Sequence, residues 1–187
     1  TVYTTGQKLT FPVMKAAAAA DPELQLSETG KANGVIIDKV STCANGNGFV
    51  YGVATDNGDS IADALQTPAG SIQVTENEQG QMSTGAKIEL LNDSGEVVET
   101  YYFIFFGDIN GDGLIDPIDV TLVEGVASYS DFDFSADDGS ITGIAADVNG
   151  DGLIDPIDVT YLEGVASYSD FPTQAETAAV VAAAKGI

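Results

Sequence analysis

Histidine, tryptophan and arginine are absent from these 187 residues, cysteine occurs once, and lysine is confined to six positions. Each shortage closes off a class of function. Without histidine, the usual general base is missing, and Cys43 has none to activate it. No G-x-S-x-G elbow or phosphate-cradling loop compensates, so an enzyme is not expected; a glycosidase-type pair of acids in the first part is the catalytic alternative. A lone cysteine forms no intramolecular disulfide and leaves the redox compartment unfixed. Six cations against 29 acids give a formal charge of −23, which disfavours nucleic acid and anionic membranes as partners. No apolar run approaches membrane-spanning length. Without tryptophan, a carbohydrate-stacking platform would fall to Tyr3, Tyr51, Tyr101 or Tyr102. No secretory leader is visible at Thr1, as expected of the processed or excised end of a longer secreted protein.

What the chain has in excess is acid, and much of it lies in a stretch that occurs twice. Residues 108–132 read DINGDGLIDPIDVTLVEGVASYSDF, and residues 147–171, 39 positions later, read DVNGDGLIDPIDVTYLEGVASYSDF. Only Ile109/Val148, Leu122/Tyr161 and Val123/Leu162 differ. Each copy opens with the oxygen pattern of an EF-hand-type calcium loop. Such a loop takes ligands from positions one, three, five, seven, nine and twelve, with glycine at six for the sharp turn. In the first copy these places hold Asp108, Asn110, Asp112, Leu114 (through its carbonyl), Asp116 and Asp119, with Gly113 at the turn. In the second they hold Asp147, Asn149, Asp151, Leu153, Asp155 and Asp158, with Gly152. Four carboxylates in so short a span repel one another unless a cation sits among them. Calcium, which takes six to eight oxygens in irregular geometry, suits them better than magnesium with its strict octahedron. Two full matches at a fixed offset argue against a turn that binds nothing. The expected cofactor is Ca2+, two ions.

The flanks differ from an EF-hand, which has a helix on both sides of its loop. The run into the first loop, residues 99–106, is aromatic and β-branched and reads as a strand. Only the exit side reads as helical, from Pro117, whose missing N–H is harmless in a first turn. Position twelve is Asp rather than Glu. A duplicated loop-then-helix unit opening GDINGDG and ADVNGDG and ending in that Asp resembles the dockerin modules by which bacterial enzymes and scaffold proteins attach to cohesins in cellulosomes. The resemblance covers about residues 107–172. It implies the calcium-ligand roles for the twelve loop positions above, and it places a recognition pair on Pro117-Ile118 and Pro156-Ile157. It further implies a cohesin of a scaffoldin or cell-surface protein as the partner, and an extracellular polysaccharide-degrading complex as the setting. The small hydroxyl residues of the best-known dockerins are not at these places.

Residues advance about 100° per position in a helix. With Ile118 at zero, Leu122, Val126 and Tyr129 fall at about 40°, 80° and 20°, while Val120, Val123 and Ala127 lie on the opposite face. A surface helix needs only one apolar face for its own core. The stripe of smaller residues suits packing between repeats. The other stripe, with Gly125 inside it, is left for a partner. The second copy repeats this with Ile157, Tyr161, Gly164, Val165 and Tyr168 set against Val159, Leu162 and Ala166.

Residues 1–106 read as a β-rich module, either an Ig-like sandwich or a small α+β unit, of the X-module kind found before dockerins. Expected strands are Lys8–Phe11, Val35–Val40, Phe49–Ala54, Ser71–Thr75, Lys87–Leu91 and Glu96–Phe106. Turns are expected at Asn45–Gly48 and Asn92–Gly95, a helical turn or linker at Ala16–Ala20, and a short helix at Ile61–Gln66 capped by Ser60. Phe106 runs into Asp108 without a Ser/Pro/Thr linker, so a rigid unit is expected. Residues 107–172 read as an all-α dockerin of two loop-helix repeats, with Ser140 starting a short helical turn between them. Residues 173–187 are a tail or a docked helix. The functional expectation is a calcium-dependent docking module; the alternatives are a carbohydrate-binding or purely structural calcium-stabilised module.

Overall fold

The computed structural model describes residues 21–41, 46–53, 58–76, 82–128, 139–166 and 173–187. The expected elements at Lys8–Phe11 and Ala16–Ala20, and Asn45 of the expected turn, lie outside them. In chain order the first part holds β1 (Gln25–Leu26), α1 (Glu28–Ala32), β2 (Ile36–Asp38), β3 (Gly48–Tyr51), α2 (Gly58–Ala64), β4 (Leu65–Gln66), β5 (Ser71–Thr75), β6 (Lys87–Leu91) and β7 (Val97–Phe103). Then follow α3 (Pro117–Ala127), α4 (Gly139–Ala146), α5 (Pro156–Ala166) and α6 (Gln174–Lys185).

The strands build one five-stranded sheet in the order β2-β3-β7-β6-β5 and a two-stranded ribbon, β1-β4. Among the described strands every pairing is antiparallel except β3 beside β7. With two short helices added, the described residues form a small α+β arrangement rather than two facing sheets. One local reading needs correction. The helix expected at Ile61–Gln66 starts earlier, at Gly58, with Ser60 inside it, and it stops at Ala64. Leu65 and Gln66 are claimed instead by pairing with Leu26 and Gln25, a tertiary contact that overrides local propensity.

The central strand β7 explains how the two parts join. Successive side chains of a strand point to opposite faces. Tyr101, Phe103 and Phe105 therefore join one core with Leu24, Val35, Val50, Ile61 and Ile88. Tyr102, Ile104 and Phe106 join another with Phe49 and Tyr51. The second core is closed by Ile141 and Ala145 of α4 and by Ala178 and Val181 of α6. Elements that follow the calcium loops thus cover one face of the upstream sheet.

The tail is a docked helix with its ends defined. Thr173 and Glu176 form a capping box at its start, and Gly186 takes the left-handed conformation at its end. Such caps satisfy backbone groups that a helix leaves orphaned. Near the far end Lys185 pairs with buried Asp38 at 3.0 Å, which also accepts the Tyr51 hydroxyl. At the near end the buried Gln174 amide accepts from Phe106 N–H and donates to Phe106 C=O, both at 2.8 Å. Gln174→Ala strands both groups in the core. At about 1–3 kcal/mol for each buried unsatisfied group, a melting temperature lowered by roughly 5–15 °C is expected in calcium. An unchanged melt would mean that α6 is not held through this contact.

Candidate functional site

Both loops are closed by their own side chains, in matching fashion. In the first, Asp108 accepts from the N–H groups of Asp112 and Gly113 at 3.1 and 3.2 Å. Asn110 accepts from Asp112 N–H, Asp112 from Leu114 N–H and Asp116 from Ile118 N–H. Asp119 reaches back to accept from Ile109, Asn110 and Asp116 N–H at 2.8, 3.2 and 3.0 Å. The second loop repeats this pattern with Asp147, Asn149, Asp151, Asp155 and Asp158. Gly113 and Gly152 sit at φ 85° and 87°, a region open to glycine at little cost. Asp116 and Asp119 also form the capping box of α3. The residues read as ligands nine and twelve therefore fix the start of the helix.

Among the described residues no lysine forms an ion pair with a carboxylate of these loops. Burial pushes the Asp108 carboxyl up to about 6, with Asp119 and Asp112 adding to the effect and N–H groups of Thr84 and Gly113 opposing it. Burial likewise raises Asp119, Asp147 and Asp158. Among the described residues no three acid side chains are drawn into a closed metal cage. The donor chemistry nonetheless fits a hard cation. Each loop offers four carboxylates, an amide oxygen and a backbone carbonyl, and a carboxylate has about four acceptor sites, more than the one to three N–H donors occupy. A pH dependence follows. The folded Asp108 value lies above the ordinary 3.8, so between about 6 and 4 the folded loop holds a proton that a cation must displace. Calcium affinity is expected to fall up to about tenfold per unit below pH 6. In chelator the sign reverses, with stability rising as pH drops through that window. Calorimetric titrations at pH 7 and pH 5 check the first, and melts in chelator the second.

The helix faces separate as expected at some positions and not at others. Val123 and Leu162 are buried, with Val120 and Val159 packed beside them in a core that includes Ile109, Ala146 and Val148. On the other side Ile118 and Ile157 are 56% and 51% exposed and Tyr161 is 37% exposed. Pro117 and Pro156 are exposed too, while Gly125, Val126 and Gly164 are half-buried. Leu122 departs from its expected place: it packs partly into the inter-repeat core. Its Cα sits mid-stripe, about 40° from Ile118, but its long, flexible side chain leans toward the inter-repeat core. Tyr129 and Tyr168, and the side chain of Val165, lie outside the described residues.

Among the described residues, the tyrosines named as a possible stacking platform are not on the surface. Tyr51, Tyr101 and Tyr102 are buried in the sheet's two cores, and Tyr3 lies outside the described residues. Three residues absent from the sequence reading touch the loops or their entry. Thr84 N–H donates to Asp108 at 2.9 Å. The Thr177 hydroxyl donates to Val148 C=O at 2.9 Å, and Gln174 holds Phe106. The T-x-x-E spacing of Thr173 and Glu176 is a sequence signal for the start of α6; nothing local marks Thr84.

No curated protein and no solved structure matches the chain. Residues 106–164 do match a family, the dockerin type I domain, whose members are calcium-binding, cohesin-binding and non-catalytic docking modules of extracellular cellulosome-type complexes. The duplicated acidic loops, the helices that they cap and this match agree, and the chain carries a dockerin module preceded by a β-rich region.

Proposed function

We propose that the chain is a docking unit in which two calcium ions order residues 107–172 and helices α3 and α5 present the face a cohesin recognises. The twelve loop positions named above would hold the ions. Pro117, Ile118 and Val126, with Pro156 and Ile157 at the matching places of the second copy and Tyr161 at the place of Leu122, would meet the partner. The region 1–106 and the tail helix stabilise this unit rather than contacting the partner. A cohesin of a scaffoldin or cell-surface protein would thereby anchor the secreted parent protein in a polysaccharide-degrading complex. The observation that carries this reading is the paired exposure of Ile118 and Ile157 directly after capped, acid-rich loops. Bound calcium would neutralise the gathered carboxylates. Because Asp116 and Asp119 also cap α3, loop order and the position of Ile118 are coupled.

The near-identity of the copies favours a further element. One partner site could accept the module in two orientations about 180° apart, distinguished chiefly at Leu122/Tyr161. The binding test is capture of the chain by a panel of immobilised cohesin domains. Capture by at least one in calcium, lost in chelator, supports the reading. Capture by none, or capture indifferent to chelator, overturns it.

A further inference from the structure

The two calcium loops are nearly identical in sequence, yet they are braced by different parts of the chain. Asp108 is fully buried, and it accepts the backbone N–H of Thr84 from the region upstream. Thr84 is itself fixed, since its hydroxyl donates to Phe105 C=O at 3.0 Å and accepts from Phe105 N–H at 3.1 Å. The backbone here is so close that a Cβ on Gly111 would come within 3.0 Å of Thr84 C=O. Loop two has a softer neighbour. Its Asp147 is half-buried, and the corresponding Cβ on Gly150 would meet the methyls of Val181 and Val180 on α6 at 3.0 and 3.1 Å. Gly113 is buried, whereas its counterpart Gly152 is exposed.

We infer that the loops are inequivalent calcium sites, the first held ready by Thr84 as a positioning residue and binding the ion more tightly. This rests on the calcium reading of the loops given above. The physical reason is preorganisation: an oriented donor and a rigid wall fix Asp108 before the ion arrives, so less order is lost on binding. A hydrogen bond to a charged group is worth enough to separate the sites by roughly tenfold in affinity.

The test uses the full chain with one loop weakened at a time. Asp116→Asn handicaps the first loop and Asp155→Asn the second, each keeping the shape of its side chain. Calorimetric calcium titration should show the surviving first loop binding roughly tenfold more tightly than the surviving second, and stopped-flow release to a chelating dye should be correspondingly slower. In the Asp155→Asn background, Thr84→Val, which removes the tether to Phe105, should weaken the remaining site, and Thr84→Ser should restore it. In the Asp116→Asn background neither Thr84 change should matter. Equal affinities and release rates for the two surviving loops overturn the inference while leaving the calcium reading intact. So does a Thr84→Val effect that is the same in both backgrounds, since that is the signature of general destabilisation. A chain that binds no calcium at all defeats the calcium reading itself.

Discussion

Replacing Ile118 and Ile157 together by aspartate is expected to abolish capture by a cohesin, while either replacement alone costs little. Both side chains are more than half exposed, so neither substitution disturbs the core formed by Val123 and Leu162. In either orientation the one turned to the partner would be buried beneath it, where an unpaired carboxylate costs several kcal/mol. Because the copies differ within the partner-facing stripe only at Leu122/Tyr161, a single variant keeps one clean face and can turn round to use it. Single losses of less than about tenfold and a double loss on the order of a thousandfold are expected. Calorimetry against one cohesin gives all three numbers. Near-additive losses, or one single variant that abolishes binding while the other is silent, would mean one fixed orientation. Tyr161, exposed where Leu122 turns into the core, would then be the side chain to examine as its determinant.

Removal of calcium is expected to cost the whole structure rather than the repeats alone. Each loop gathers four carboxylates, and Asp108, Asp119 and Asp158 are fully buried. A ligand at a thousand times its dissociation constant stabilises by about 4 kcal/mol per site. For two sites in a protein of this size, the melting temperature should drop on the order of 20 °C in chelator. The loss should reach the upstream sheet, because Phe49, Tyr51, Tyr102, Ile104 and Phe106 are covered by α4 and α6. Asp112→Ala and Asp151→Ala should each produce part of the drop. Helical circular dichroism and a melt that ignore chelator would contradict the assignment of the loops.

The parts of this structure that were legible in the sequence are those set by local chemistry. Ser71–Thr75 and Lys87–Leu91 alternate or run apolar within five residues and form strands over those spans. The start of α3 at Pro117 is written in the loop itself, since Asp116 and Asp119 are its caps. What was not legible depends on residues far apart. The ribbon joins Gln25–Leu26 to Leu65–Gln66, two-residue strands too short to carry a period. The parallel neighbourhood of β3 and β7 and the support of Asp108 by Thr84 likewise have no local mark. The inward lean of Leu122 was not legible either, because an angle on a helical wheel says where a side chain starts and not which way a flexible one leans.

In the proposed complex the partner is met by the helices following the calcium loops, with the sheet behind them as support. Amide hydrogen exchange of the full chain, compared with and without a captured cohesin in calcium, tests this arrangement most directly. New protection is expected to be confined to residues 117–128 and 156–166, with β5 and β6 unchanged. Protection that appears on the β5 edge of the sheet and leaves both helices as they were would contradict it.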